Sequence, residues 1–151
     1  MMSDTIISQN EADALFQMEK ISTAANELKF PSLGGNLELS FTSENNKEEF
    51  FINYRQSSIN LVKRNHHMRG RNILGLARLD LFGPPHRNPN GEEIGPCHLH
   101  LYKEGYDLKW AQEVPENLFG NLKDSYETLR LFMVFCNVKK LPHLTKDLFH
   151  E

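Results

Sequence analysis

His98 and His100 stand in Cys97-His98-Leu99-His100-Leu101-Tyr102, where apolar and polar residues alternate. Successive side chains of a strand point to opposite faces, so both imidazoles project from one face, about 7 Å apart along the chain. Ala77 to Leu81 alternates in the same way: Ala77, Leu79 and Leu81 form one set, Arg78 and Asp80 the other. If these two strands are neighbours, Arg78, Asp80, His98 and His100 share a surface.

That group of residues could do three kinds of chemistry. Two imidazoles that titrate near neutrality can act as base and acid while a guanidinium stabilises charge developing on a phosphate. On this reading His98, His100, Arg78, Asp80, Tyr102 and His86 are the catalytic set, with no cofactor. Alternatively, His-x-His on a strand chelates a transition metal, with His86, His98, His100 and Glu104 as the ligand set. Those ligand types favour zinc or non-haem iron over magnesium. Thirdly, the surface binds an anionic partner without catalysis. Metal-free catalysis is the preferred expectation.

The charge pattern points towards an anion. The 151 residues carry a net charge of −3, yet Arg55 to Arg87 holds seven Lys and Arg against one acid, Asp80. Within it, Lys63, Arg64, His66, His67, Arg69, Arg71 and Arg87 read as a basic, glycine-containing loop that grips a phosphate backbone. RNA or another polyanion is therefore the expected partner. The two cysteines, Cys97 and Cys136, lie in apolar patterns and form no disulfide framework. The N-terminus lacks a basic segment followed by an apolar stretch. No apolar run approaches the ~20 residues of a membrane span. These features predict a cytosolic protein with no membrane partner.

The elements that must position this surface are few. The length predicts a single α+β domain over 1–151. Ser8 and Glu11 suit a capping box, and apolar spacing predicts a helix over 9–28. Alternating segments between 35 and 104 predict about five mainly antiparallel strands, strongly twisted and partly closed. Asn36–Ser43 and Glu48–Arg55 should form a hairpin, and Ser57–Asn65 the third strand. Asn88-Pro89-Asn90-Gly91 is a strong turn signal that should join the last two strands, with positive φ at Asn90 and Gly91. Tyr106 and Trp110 should anchor the exit strand in the core. Leu122, Tyr126, Leu129, Met133 and Cys136 fall on one stripe, predicting a C-terminal helix over 117–138 that covers one sheet face.

One stretch resembles a known group. Arg78-x-Asp80, then His86-x-Asn88-Pro89-x-Gly91, then His98-x-His100-x-Tyr102-x-Glu104-Gly105-Tyr106 and Lys109-Trp110-Ala111 follow in order. This is similar to the signature of a poorly characterised family of small bacterial and phage-borne proteins. The resemblance covers about residues 76 to 115. It implies a mobile-element setting, which raises toxin and anti-defence roles together; joined to the His/Arg face and the basic segment, that gives two expectations. The first is a metal-independent ribonuclease toxin, paired with an antitoxin. The second is a non-catalytic inhibitor of a host defence nucleoprotein.

Overall fold

The computed structural model describes residues 7–24, 28–31 and 34–145. Helix α1 (Gln9–Gln17) leads into β1 (Lys20–Ser22), β2 (Leu28–Lys29), β3 (Asn36–Ser43), β4 (Glu49–Gln56), β5 (Arg64–Gly70) and β6 (Leu74–Leu81). There follow β7 (His86–Arg87), β8 (Glu93–Ile94), β9 (His98–Leu101), β10 (Ala111–Glu113), helix α2 (Ser125–Phe135), β11 (Val138–Lys140) and β12 (Leu144–Thr145).

The architecture is α+β, built on an open eight-stranded sheet in the order β10-β9-β6-β5-β4-β3-β1-β11. Its neighbours pair antiparallel except β1 and β11, which are parallel. The sheet is therefore larger than the five strands expected, and it does not close. Three of its strands span only three residues each, too few to reveal alternation. Among the described residues no helix is long and apolar enough to cross a membrane.

One face of the sheet is the core. A row of side chains runs Leu37–Tyr54–His66–Leu79–Leu99 from β3 to β9, each directly opposite the next. Helix α2 lies on this face through Thr128, Leu129, Phe132 and Met133, as its apolar stripe predicts. Both helices are shorter than expected. Ser8 caps α1 as anticipated, its Oγ accepting from Glu11 N–H at 3.1 Å. The helix nevertheless stops at Gln17, because Ile21 and Ser22 pair with Thr42 and Phe41; sheet pairing overrides local propensity here. Residues 25–27 of the expected helix lie outside the described residues. Helix α2 begins only after Asn117 and Gly120, both at φ 65°, with Asp124 as its cap.

Lys20 was not anticipated at all. It is fully buried, and its Nζ donates to the carbonyls of Phe16 (2.7 Å), Met18 (2.9 Å) and Cys136 (2.7 Å). One ammonium thus satisfies chain ends of both helices, where the helix dipole favours a cation.

The segment around residue 60 reverses the expectation. Ser57–Val62 is a turn, and the supposed phosphate-gripping loop is strand β5. Arg64, His66, Met68 and Gly70 alternate inward along β5. The polar letters of this strand hide its period, because an arginine stem and a neutral imidazole can both be buried.

Candidate metal centre

The opposite face of the sheet is polar across its width. His100, Arg78, His67, Asn53 and Glu38 form one cross-strand row, each residue opposite the next. His98, Asp80, Asn65, Arg55 and Asn36 form the adjacent row. The alternation read from the sequence therefore places Arg78, Asp80, His98 and His100 on one surface. A sheet surface able to grip RNA would be open to solvent, but the histidine end of this one is roofed. His98 is 3% exposed, His100 4% and Asp80 7%.

The roof consists of the connections 82–97 and 102–110. Phe82, at φ 56°, turns the chain out of β6; a bulky residue is strained in that region. Pro84 and Pro85 follow, and β7 and β8 pair as a small hairpin closed by the Asn-Pro-Asn-Gly turn. Of the two turn residues expected at positive φ, Gly91 has it (91°). Asn88 ties the hairpin to the edge of the sheet: its Oδ1 accepts from Ala111 N–H at 2.8 Å and its Nδ2 donates to Ala111 O at 3.0 Å. On the other side, a Cβ on Gly75 would lie 2.8 Å from Leu108 Cδ1 and 3.1 Å from His67 Nε2. The bare backbone there lets Leu108 settle onto the sheet.

Three backbone carbonyls set the histidine tautomers. His98 Nδ1 lies 2.8 Å from Gly95 O, His100 Nδ1 2.7 Å from Leu108 O, and His86 Nε2 2.7 Å from Lys109 O. A carbonyl only accepts, so each of these nitrogens carries the proton. A neutral ring then presents a lone pair at its other nitrogen: Nε2 of His98, Nε2 of His100 and Nδ1 of His86. The rings cluster tightly, with centroids 4.7 to 5.6 Å apart. One ring nitrogen from each lies within 4.8 Å of the others.

Asp80 completes the group. Its Oδ1 accepts from Arg78 Nε and Asn65 Nδ2, both at 2.8 Å. Its Oδ2 faces His98 Nε2 at 3.3 Å and His100 Nε2 at 3.4 Å. The His100 contact is no hydrogen bond, since that Nε2 is buried without a hydrogen-bond partner. Burial pushes the Asp80 carboxyl up, while a proton donated from His100, the Arg78 guanidinium and the Asn65 amide pull it down; with a lone pair at His100 Nε2 the lowering falls to Arg78 and Asn65, which both donate to Oδ1. An ionised carboxylate oxygen therefore faces two imidazole lone pairs. Three acceptors turned on one another are reconciled by a cation between them, either a proton on one imidazole or a metal ion. Around a tetrahedral zinc-type ion with bonds of about 2.0–2.1 Å, neighbouring ligand atoms sit about 3.4 Å apart, the spacing of these contacts.

The other expected site residues are dispersed. Tyr102 donates its hydroxyl to Ile7 O at 2.7 Å and accepts from Ile7 N–H, so it anchors the start of α1. Glu104 accepts from Gln9 N–H at 2.6 Å at the same helix end, away from the imidazoles. Arg64 is buried, donating to the carbonyls of Val62 and Leu122. His66 is fully buried between Tyr54 and Phe132, and burial drives its pKa down to about 3. His67 is half-buried with its Nε2 unpartnered; burial, then Arg78 and Arg69, lower its pKa. Arg69 pairs with Glu38, and Arg71 with Glu11 and Glu48. Arg87 is exposed beside Glu93, and Lys63 is half-buried beside Gly83. The basic loop of the sequence thus does not exist as one surface. Tyr106, expected in the core, is 41% exposed, with Lys103 over it and over Trp110.

Asn65, Gly75 and the carbonyl of Leu108 escaped sequence reading, and Asn88 was read only as part of the turn and of the signature. Asn65 was legible in principle: once Arg64–Gly70 is read as a strand, it falls opposite Asp80. A family model described as a family of unknown function (DUF6978) matches residues 7–138. No curated protein and no solved structure matches the chain.

Proposed function

The chain belongs to DUF6978, a family of unknown function, and from its own geometry we propose that it is a transition-metal-binding protein. His86, His98 and His100 hold the ion, and Asp80 Oδ2 is a fourth ligand or the acceptor for a metal-bound water. One observation carries the reading: each ring is tied through one nitrogen to a backbone carbonyl, Nε2 of His98 and His100 face the Asp80 carboxyl, and a ring nitrogen of His86 lies within 4.8 Å of theirs. Outer hydrogen bonds of this kind orient histidine ligands and raise their basicity. Three imidazoles and one carboxylate suit zinc-class divalent ions rather than magnesium or calcium.

The same contacts weigh against free imidazoles as acid and base on RNA. In His98 and His100 one nitrogen holds a carbonyl and the other faces Asp80 at 3.3 to 3.4 Å, and both rings are buried. With Arg64 and His66 in the core, the polyanion surface also loses members. The nuclease toxin and the inhibitor of host defence rest on the sequence alone, on its histidine and arginine residues, its basic segment and its signature. Their mobile-element setting rests there too. An ion at this place would pin β6, β9 and the His86 hairpin together, which makes it a folding centre as well.

The test is elemental analysis of protein purified without a histidine tag, with thermal denaturation before and after chelation. Near-stoichiometric metal and a midpoint that falls by several degrees on chelation are expected; an ion at a hundredfold excess over its Kd contributes about 2.7 kcal/mol. Protein that holds no metal, and gains no stability from added Zn²⁺ or Co²⁺, would sink the proposal.

A further inference from the structure

Arg78 sits at the rim of the histidine cluster with its side chain 47% exposed. Its Nε is fixed to Asp80 Oδ1 at 2.8 Å, which aims the planar guanidinium. Among the described residues its two terminal nitrogens have no hydrogen-bond or ion-pair partner. Asp80 is its one counter-charge there, and Asp80 also faces His98 and His100. The cross-strand neighbours of Arg78 are His100 and His67. Neither imidazole carries negative charge, so neither supplies a second counter-charge.

Resting on the metal reading above, we propose that this rim is an oxyanion site. A phosphate-type anion binds there, bridging the terminal N–H groups of Arg78 and the positive field of the ion. The charge balance carries the argument. A divalent ion, one guanidinium and one carboxylate among neutral imidazoles leave two positive charges, the ion among buried ligands and the guanidinium at the half-exposed rim. Such a surplus is costly unless an anion joins it. A guanidinium fork with two free N–H groups matches the oxygens of a phosphate. Three acids of the roof are engaged elsewhere: Glu93 lies beside Arg87 at 3.6 Å, Glu92 Oε1 accepts from Asn88 Nδ2 at 3.3 Å, and Glu104 accepts from Gln9 N–H.

The experiment titrates inorganic phosphate into full-length Zn²⁺-loaded protein by calorimetry. Metal content and the absorption spectrum of the Co²⁺-loaded form are measured alongside. Wild type should bind phosphate, and Arg78→Gln should weaken binding at least tenfold while keeping full metal content and an unchanged Co²⁺ spectrum. Arg87→Gln should bind phosphate like wild type. Phosphate binding that survives Arg78→Gln, or metal-loaded wild type that binds none, overturns the oxyanion site and leaves the metal centre standing. If Arg78→Gln loses its metal, phosphate affinity is compared in Arg78→Lys, which keeps the charge and loses the fork; an affinity equal to wild type overturns the fork. Protein that takes up no metal overturns the centre and this inference together.

Discussion

The side-chain amide of Asn88 makes to Ala111 both hydrogen bonds that a neighbouring strand would make, accepting at 2.8 Å and donating at 3.0 Å. It thereby substitutes for a strand beyond β10, the edge of the sheet, and holds the His86 hairpin against that edge. Lys109, whose carbonyl orients His86, lies two residues before Ala111. The roof of the histidine cluster is thus fastened through one buried amide.

Asn88→Ala should cost about 2–3 kcal/mol, because it leaves a buried N–H and a buried carbonyl of Ala111 without partners. It should also weaken metal binding by about 10–100-fold, as loss of an orienting contact does. Urea unfolding and a metal competition assay on one preparation check both. A variant that loses stability while binding metal like wild type would show that the hairpin does not position His86.

Asp80 and Glu104 separate two possible ligand sets. Asp80→Asn keeps the shape and removes the charge, so Zn²⁺ affinity should fall at least tenfold. Glu104→Gln should leave affinity unchanged, since Glu104 serves the start of α1. Tyr102→Phe should cost about 1 kcal/mol through its lost bonds to Ile7, again with metal affinity unchanged. A Glu104 effect equal to that of Asp80 contradicts this arrangement.

Gly75→Ala tests the close approach of the roof. The new methyl would meet Leu108 Cδ1 at 2.8 Å, which requires Leu108 to shift and to carry its carbonyl away from His100. A loss of about 1–3 kcal/mol is expected, along with weaker metal binding. Gly91→Ala offers a contrast: its Cβ would meet nothing within 4 Å, but φ is 91°. Its cost should therefore be purely conformational, with metal affinity retained.

His66 predicts an acid limb in stability. Its folded pKa is pushed down to about 3 from 6.5, so between those values the unfolded chain binds the extra proton. Stability from this residue is complete above pH 6.5 and is lost as pH falls below it. Between pH 7 and pH 5 the loss should be about 2 kcal/mol. His66→Phe, which keeps an aromatic ring between Tyr54 and Phe132, should flatten that difference in urea unfolding. An unchanged pH dependence would place the proton elsewhere.

Period-two alternation is a local property of the chain, and wherever apolar letters mark it the sequence determines which side chains share a face. Ala77 to Leu81 and Cys97 to Leu101 carry it openly, so Arg78, Asp80, His98 and His100 were legible as one group before any coordinates. Arg64 to Gly70 carries the same period in polar letters, and there the reading failed. Arginine stems and neutral imidazoles are buried only when something apolar closes over them, here Tyr54 and Phe132 around His66. The tertiary structure alone decided that the histidine face is covered, because its roof comes from two connections whose irregular backbone has no sequence period. It also decided which nitrogen of each ring stays free, since the carbonyls of Gly95, Leu108 and Lys109 reach their histidines only once the roof is folded. Local spacing can align two imidazoles. Whether they meet water or an ion depends on what the rest of the chain lays over them.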